Sequence, residues 1–253
     1  MNNLVFVVII ILLIVALSVY MVLDFKKVKA VESFTNYANN GLDKLDAVMY
    51  INLEDRTDRK PLVIKEIKKM MANPEKVHRI SAVKIPKNGH KGCIQSHIIA
   101  LRMAKMNNWD TVAIIEDDAE LMIKPKEFNN RLTAAFDELN KKSVNWDVLL
   151  LSGLNKMIDE EESKKYKSVD KLSHATTSTI YIIKNSYLDK LIELFEYCNE
   201  KMVAEKWGTD DNHEPYALDQ MWNKLISKDN WFSLKGDNII TQRDIKSSIN
   251  NRI

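Results

Sequence analysis

The sequence is poor in the residues that build disulfide frameworks, fibres and low-complexity segments. Its 253 residues include only six glycines, five prolines and two cysteines. So little glycine and proline argues against a disordered or fibrous protein. The cysteines, Cys93 and Cys198, supply neither a disulfide framework nor a zinc-knuckle spacing, which favours a reducing compartment.

An excess of charge of one sign is also absent. Lysine and arginine number 37 against 35 acidic residues, so the net charge is only +2. This balance implies no strongly basic or acidic partner, and we predict no nucleic-acid partner. The sequence holds no Walker loop, no G-x-G-x-x-G and no G-x-S-x-G. Kinase, Rossmann dehydrogenase and α/β-hydrolase functions therefore have no motif support.

One long apolar run predicts a membrane anchor. Between Leu4 and Leu23, only Ser18 and Tyr20 interrupt the apolar side chains. A helix of this length spans ~30 Å, the thickness of the hydrocarbon core of a bilayer. Three lysines follow the run, at positions 26, 27 and 29. The positive-inside rule therefore places the rest of the chain in the cytoplasm.

The remaining chain alternates between strand and helix patterns. Ala47 to Leu53 is the first apolar strand, and it is followed by a loop and an amphipathic helix. Such alternation predicts the α/β class, with a mostly parallel mixed sheet flanked by helices. We divide the chain into an anchor at 1–23, a linker at 24–45 and one folded domain at 46–253.

A cluster of three acids follows the apolar run Val112 to Ile115. Such a run predicts a central strand that is covered on both faces. It leads directly into Glu116, Asp117 and Asp118. Adjacent carboxylates repel one another, so they indicate either a hard divalent cation or a solvated acidic turn. On an extended strand, Glu116 and Asp118 would point to one side.

Two arginines lie close to the end of the first strand. Arg56 and Arg59 are one helical turn apart and would both face the strand end. There they could bind a phosphate or a base. The simpler interpretation is that they pair with the neighbouring Asp55 and Asp58.

A histidine lies near the start of a helix predicted at Cys93 to Met106. His97 is either a half-buried structural histidine or part of a site. Cys93 and His97 are four residues apart, but no further pair in the sequence completes a zinc site.

Seven segments in one order resemble glycosyltransferase family 25, which includes lipooligosaccharide and procollagen galactosyltransferases. The resemblance covers about residues 47 to 249. The segments are YINLEDRTDR, GCIQSH, IIEDDAEL, WDVLLLSG, TTSTIYIIKNSYLDKL, ALDQMW and QRDIKSSI.

The resemblance implies a GT-A type fold and an inverting transferase that uses a UDP-sugar, with galactose or glucose as the sugar. It implies that Asp118 and Glu116 hold Mn²⁺ or Mg²⁺ as the outer positions of a D-x-D-like motif, with Glu116 facing the ribose or a metal-bound water. Asp219 would be the catalytic base, and Asp210 and Asp211 are the alternatives.

The resemblance also implies a set of donor-binding residues spread over the domain. They are Asn52, Leu53, Arg56, Arg59, Gly92, Ser96, His97, Glu116, Asp117, Gln242 and Ser247. The acceptor would be a glycan, a lipid-linked sugar or a hydroxyl group of a protein. Two other functions stay open: a non-catalytic nucleotide-sugar or glycan-binding protein on the same fold, and a metal-dependent phosphohydrolase.

Overall fold

The structure is a computed structural model that describes residues 40–86, 88–152, 154–202, 215–236 and 238–245. All of them lie in one compact unit, Asn39–Ile253. The strands are β1 (Ala47–Asn52), β2 (Val77–Ser81), β3 (Thr111–Glu116), β4 (Ala119–Leu121), β5 (Val148–Leu150), β6 (Leu154–Ile158), β7 (Val169–Thr176), β8 (Ile180–Lys184), β9 (Trp231–Leu234) and β10 (Ile240–Gln242). The helices are α1 (Lys60–Lys69), α2 (Gly89–Met106), α3 (Pro125–Lys141), α4 (Glu160–Ser163), α5 (Asn185–Lys201), α6 (Leu218–Met221) and α7 (Asn223–Ile226).

Within these described ranges, eight strands form one sheet in the order β2-β1-β3-β8-β5-β9-β7-β6, and β4 pairs with β10 separately. Three neighbouring pairs are parallel: β1 with β2, β1 with β3, and β5 with β9. The other four pairs are antiparallel. The predicted α/β class with a mixed sheet is confirmed, but the expectation of a mostly parallel sheet is wrong. Strand β8 inserts antiparallel between β3 and β5, and side-chain periodicity does not encode the direction of a neighbouring strand.

The sheet separates two layers of helices, which explains why its central strands are apolar throughout. In β1, Met49 packs with one buried cluster and Val48 with the other, and in β3, Ile114 and Ile115 divide in the same way. The first cluster takes in buried side chains of α2 and α5, and the second takes in those of α1 and α3. Successive strand residues point to opposite faces, so every side chain of a strand that is covered on both faces meets apolar neighbours.

Helix α1 follows Arg59 without a side-chain cap, and the nearby Asp58 is held by the Arg56 guanidinium. Helix α2 begins at Gly89, four residues before the predicted start at Cys93. The Asn88 side chain caps it by accepting from the backbone N–H of Lys91 at 3.0 Å.

The predicted membrane span, residues 4–23, lies outside the described residues and stays a prediction. In the described parts of the chain, no helix has the length and apolarity that a bilayer crossing requires.

A buried carboxylate joins helix α1 to the last strand pair. Glu66 accepts hydrogen bonds from Lys69 at 2.9 Å, from the backbone N–H of Leu121 at 3.2 Å and from Arg243 at 3.1 Å. Arg243 follows β10 directly and also pairs with Glu120 at 3.0 Å. Glu66 is only 1% exposed, whereas the side chains of its partners Lys69 and Arg243 are 36% and 21% exposed.

We expect Glu66→Gln to lower the free energy of unfolding by about 2 kcal/mol, because it removes the buried charge that the partly exposed Lys69 and Arg243 share. The matched control, Glu120→Gln, removes the partly exposed partner of the same arginine and is expected to cost less than about 1 kcal/mol. Urea unfolding of both variants measures the difference. Equal losses would show that burial of Glu66 does not matter.

Candidate active site

The acidic cluster lies at the carboxyl edge of the parallel strands, as the sequence predicts. Glu116 is the last residue of β3 and stands opposite Ile51 of β1. Asp117 and Asp118 then form a turn that leads into β4. The prediction that Glu116 and Asp118 share one extended strand is wrong, because the strand ends at Glu116. The three carboxylates consequently have different sets of partners, with Arg59 shared between Asp117 and Asp118.

Asp117 uses both of its carboxylate oxygens inside the fold. Oδ2 accepts from Asn52 Nδ2 at 2.7 Å, and Oδ1 accepts from Arg59 Nη1 at 2.8 Å. Asn52 in turn accepts from the Arg79 guanidinium at 3.1 Å. Asn52 ends β1 and Arg59 precedes α1, so this acid joins the two strand ends to the loop between β1 and α1. Its contacts position the neighbouring acids.

The buried carboxylate of Asp118 has little positive charge near it to stabilise its ionised form. Its Oδ2 accepts from Gln242 at 3.1 Å and lies 3.3 Å from Arg59 Nη1, which Asp117 also uses. Its Oδ1 is buried and finds no hydrogen-bond donor among the described residues. Burial, followed by the charge of Glu116, raises the pKa of Asp118 to about 7. A cation beside Oδ1 would supply the missing charge.

The pKa of Glu116 is shifted in the opposite direction. Its Oε1 accepts from the Ser178 hydroxyl and lies 3.4 Å from His97 Nε2. Burial raises the pKa of Glu116, but the bond and charge of His97, with Ser178 and Arg59, outweigh burial, so the pKa is lowered overall. Glu116 therefore keeps its negative charge, whereas its neighbour Asp118 favours a proton near neutral pH.

The segment Gly92 to His97 packs helix α2 against the segment after β2, and it also contributes His97 to the site. A Cβ on Gly92 would lie 2.4 Å from the carbonyl oxygen of Val83, so only glycine allows this close approach. Ser96 donates to the Gly92 carbonyl at 2.7 Å and accepts from the Val83 N–H at 2.8 Å. These contacts fix α2 against the segment after β2. The fully buried His97 contacts Tyr181 through Nδ1 at 3.0 Å.

Asp219, in helix α6, lies close enough to Glu116 for the two carboxylates to interact electrostatically. Its Oδ2 accepts from the backbone N–H of Thr177 at 2.8 Å. Thr177 has φ +78°, a left-handed conformation that is strained for a β-branched residue. Burial first, and the charge of Glu116 among the further causes, raises the pKa of Asp219.

The two arginines separate into different roles. Arg56 pairs with Asp58 through two hydrogen bonds of 2.9 Å, as one of the two interpretations predicts. Arg59 pairs with neither Asp55 nor Asp58 and instead reaches Asp117 and Asp118. Sequence spacing pointed to the nearer acids, but folding brings in acids from another strand.

Some predicted residues lie further out, and some contributors were not predicted. Leu53 is half-buried at the end of β1. Ser247, Asp210 and Asp211 lie outside the described residues. Nothing in the sequence pattern indicated the contributions of Arg79, Ser178 and Tyr181. The segment TTSTIYII, which contains Ser178 and Tyr181, resembles the family, but its residue types did not indicate a role for either side chain.

The raised pKa of Asp118 predicts a pH-dependent stability. Its folded pKa lies above its unfolded value of ~4, so the folded chain keeps the proton while the unfolded chain loses it. Stability is therefore lost as the pH rises from ~4 to ~7. In chelator-treated protein, Asp118→Asn should exceed the native chain in free energy of unfolding by ~2–4 kcal/mol at pH 8. That difference should close towards pH 4, as urea unfolding across the range would measure.

The control for this comparison is Glu120→Gln, an acid two residues away that lies on the partly exposed side of β4. A step of the same size in this variant would mean that the step does not arise from Asp118. A difference between Asp118→Asn and the native chain that is the same at every pH would contradict the shifted pKa.

Several solved structures show a distant likeness to this chain. One is mannose-1-phosphate geranyltransferase from Thermus thermophilus, at 8% identity, covering 77% of this chain and 75% of that one, TM-score 0.46. A glycosyltransferase involved in the glycosylation of the major capsid of PBCV-1 matches at 12% identity over 76% and 92%, TM-score 0.39. A nucleoside-diphosphate-sugar pyrophosphorylase from Vibrio cholerae matches at 11% over 86% and 82%, TM-score 0.40. At such TM-scores these likenesses carry no argument about activity.

The sequence itself gives the stronger result. No curated protein matches the chain. The sequence model of glycosyltransferase family 25, described as LPS biosynthesis protein, matches residues 74–206, more than half of the 253 residues. The matched segment contains His97 and the three acids at the end of β3. The chain belongs to glycosyltransferase family 25.

Proposed function

We propose that the protein is a metal-dependent, inverting glycosyltransferase of the GT-A type. It would move a hexose, galactose or glucose, from a UDP-sugar to a hydroxyl of a glycan, a lipid-linked sugar or a protein. Family membership supports a transferase. The observation that carries the metal dependence is the buried Asp118 Oδ1, which has no hydrogen-bond donor in the described part of the chain.

The donor set fits a hard divalent cation. Asp118 supplies a carboxylate oxygen without a counter-charge, and Glu116 supplies a second carboxylate that keeps its negative charge. Mn²⁺ and Mg²⁺ prefer such oxygen ligands. When bound, the ion would neutralise the charge that grows on the diphosphate leaving group. Arg59 and Gln242 hold Asp118 Oδ2, so Oδ1 is the oxygen left for the ion.

Asp219 is the proposed base for the acceptor hydroxyl. One oxygen accepts from the backbone N–H of Thr177, which orients the carboxylate. Its raised pKa suits a group that must take a proton near neutral pH. The base must differ from the metal ligands, and Asp219 does.

The anchor belongs to the same proposal. The apolar run at 4–23 would hold the catalytic domain at a membrane, and the lysines after it favour a cytoplasmic domain. A lipid-linked or membrane-bound acceptor would then lie within reach of the site.

The first test measures nucleotide release by the full chain from a panel of nucleotide sugars, with Mn²⁺, with Mg²⁺ or with EDTA. We expect release from one UDP-sugar that needs the metal and falls at least about a hundredfold in Asp118→Asn. Glu120→Gln is the control and should keep its activity. If no donor is turned over, donor-dependent thermal stabilisation would indicate a binding protein. Release from simple phosphate esters without an acceptor would indicate a phosphohydrolase.

A second test concerns Asp219→Asn, which keeps an oxygen to accept from Thr177 but cannot take a proton. We expect kcat to fall at least about a hundredfold while the KM for the donor changes little. Unchanged turnover would exclude Asp219 as the base and would move the search to Asp210 and Asp211. The near-ultraviolet circular dichroism of the variant checks that its fold is intact.

A further inference from the structure

Three potential metal ligands of different chemistry meet beside the acidic cluster. Ligand atoms of Cys93, His97 and Glu116 all lie within 4.8 Å of one another. Cys93 and His97 are four residues apart on α2 and so share one face of the helix. Glu116 comes from the end of β3, on a different element. The sequence spacing provided only two ligands, and the fold brings Glu116 to them as the third.

His97 presents an unsatisfied nitrogen to this group. The side chain is fully buried, and Nδ1 contacts the Tyr181 hydroxyl at 3.0 Å. Nε2 faces Glu116 Oε1 at 3.4 Å but makes no hydrogen bond to any described residue. In the tautomer whose Nδ1 donates to the Tyr181 hydroxyl, the lone pair of Nε2 can bind a cation that Glu116 Oε1 also contacts. In the other tautomer the Nε2 proton points to Glu116, and a bound cation would take the place of that proton.

We propose that Cys93, His97 and Glu116 form a site for a thiophilic divalent cation such as Zn²⁺. A thiolate, an imidazole and a carboxylate suit Zn²⁺ or Co²⁺, whereas Mn²⁺ and Mg²⁺ favour oxygen ligands alone. Three protein ligands leave one tetrahedral position open. Tyr181 is the outer partner that fixes the His97 ring, as metal-bound histidines generally require.

Occupation of this site would act on the transferase site through Glu116. The carboxylate would turn from Ser178 towards the thiophilic cation and would no longer serve the hard cation. Zn²⁺ should therefore inhibit transfer, a consequence that rests on the proposed function. The existence of the site does not depend on it, because metal binding is measured without turnover.

The test titrates the metal-free full chain with Co²⁺ and records its absorption spectrum. We expect a thiolate-to-cobalt charge-transfer band and strong ligand-field bands that saturate at one equivalent and disappear when Zn²⁺ is added. Cys93→Ala and Cys93→Ser should lose the charge-transfer band. The matched control Cys198→Ala removes the other cysteine, which is buried in the core, and should keep it. No charge-transfer band in the native chain, or the same band in a folded Cys93 variant, would overturn the proposal.

A second readout is Zn²⁺ affinity by calorimetry. Tyr181→Phe removes only the hydroxyl that holds His97 and should weaken Zn²⁺ binding by about 10–100-fold. Cys93→Ser should weaken it at least as much. Affinities equal to that of the native chain in both variants would show that Zn²⁺ binds elsewhere.

Discussion

The site depends on the hydrogen bonds that the buried carboxylate of Asp117 accepts. It accepts from Asn52 at the end of β1 and from Arg59 ahead of α1. Each bond is charge-assisted and largely shielded from water, so each is stronger than a bond between neutral partners. Together they fix the ends of β1 and β3 to the intervening loop. Because Asp117 is satisfied internally, Glu116 and Asp118 remain the acids that can respond to a ligand.

The charge balance of the cluster is incomplete, and this explains its unequal acids. Arg59 provides one positive charge to both Asp117 and Asp118, whereas His97 and Ser178 support Glu116. Leaving a buried charge short of a partner is costly. Asp118 carries that deficit and favours a proton in the absence of a cation. Like the strained backbone of Thr177, this unfavourable arrangement lies where a ligand would bind.

The sequence predicted the parts of the fold that local patterns encode. Apolar runs located β1 and β3, helical spacing located most of α2, and three adjacent acids located the strand end. It could not predict that Arg59 would bind Asp117, because their hydrogen bond links residues 58 positions apart. Nor could it place β8 between β3 and β5. Whether Arg59 pairs with nearby acids or with Asp117 therefore depends on contacts between residues that are far apart in the sequence.

Glu116 is the one carboxylate that both proposed cation sites would use, so only one of the two could be filled at a time. Glu116 Oε1 already has two neighbours, Ser178 and His97, while Asp118 lies two residues further along the turn. A hard cation would hold Glu116 with Asp118, whereas a thiophilic cation would hold it with Cys93 and His97. Each ion would then lower the affinity of the other, and linkage makes this effect reciprocal. The same geometry that poises Glu116 for transfer would therefore make the site sensitive to zinc.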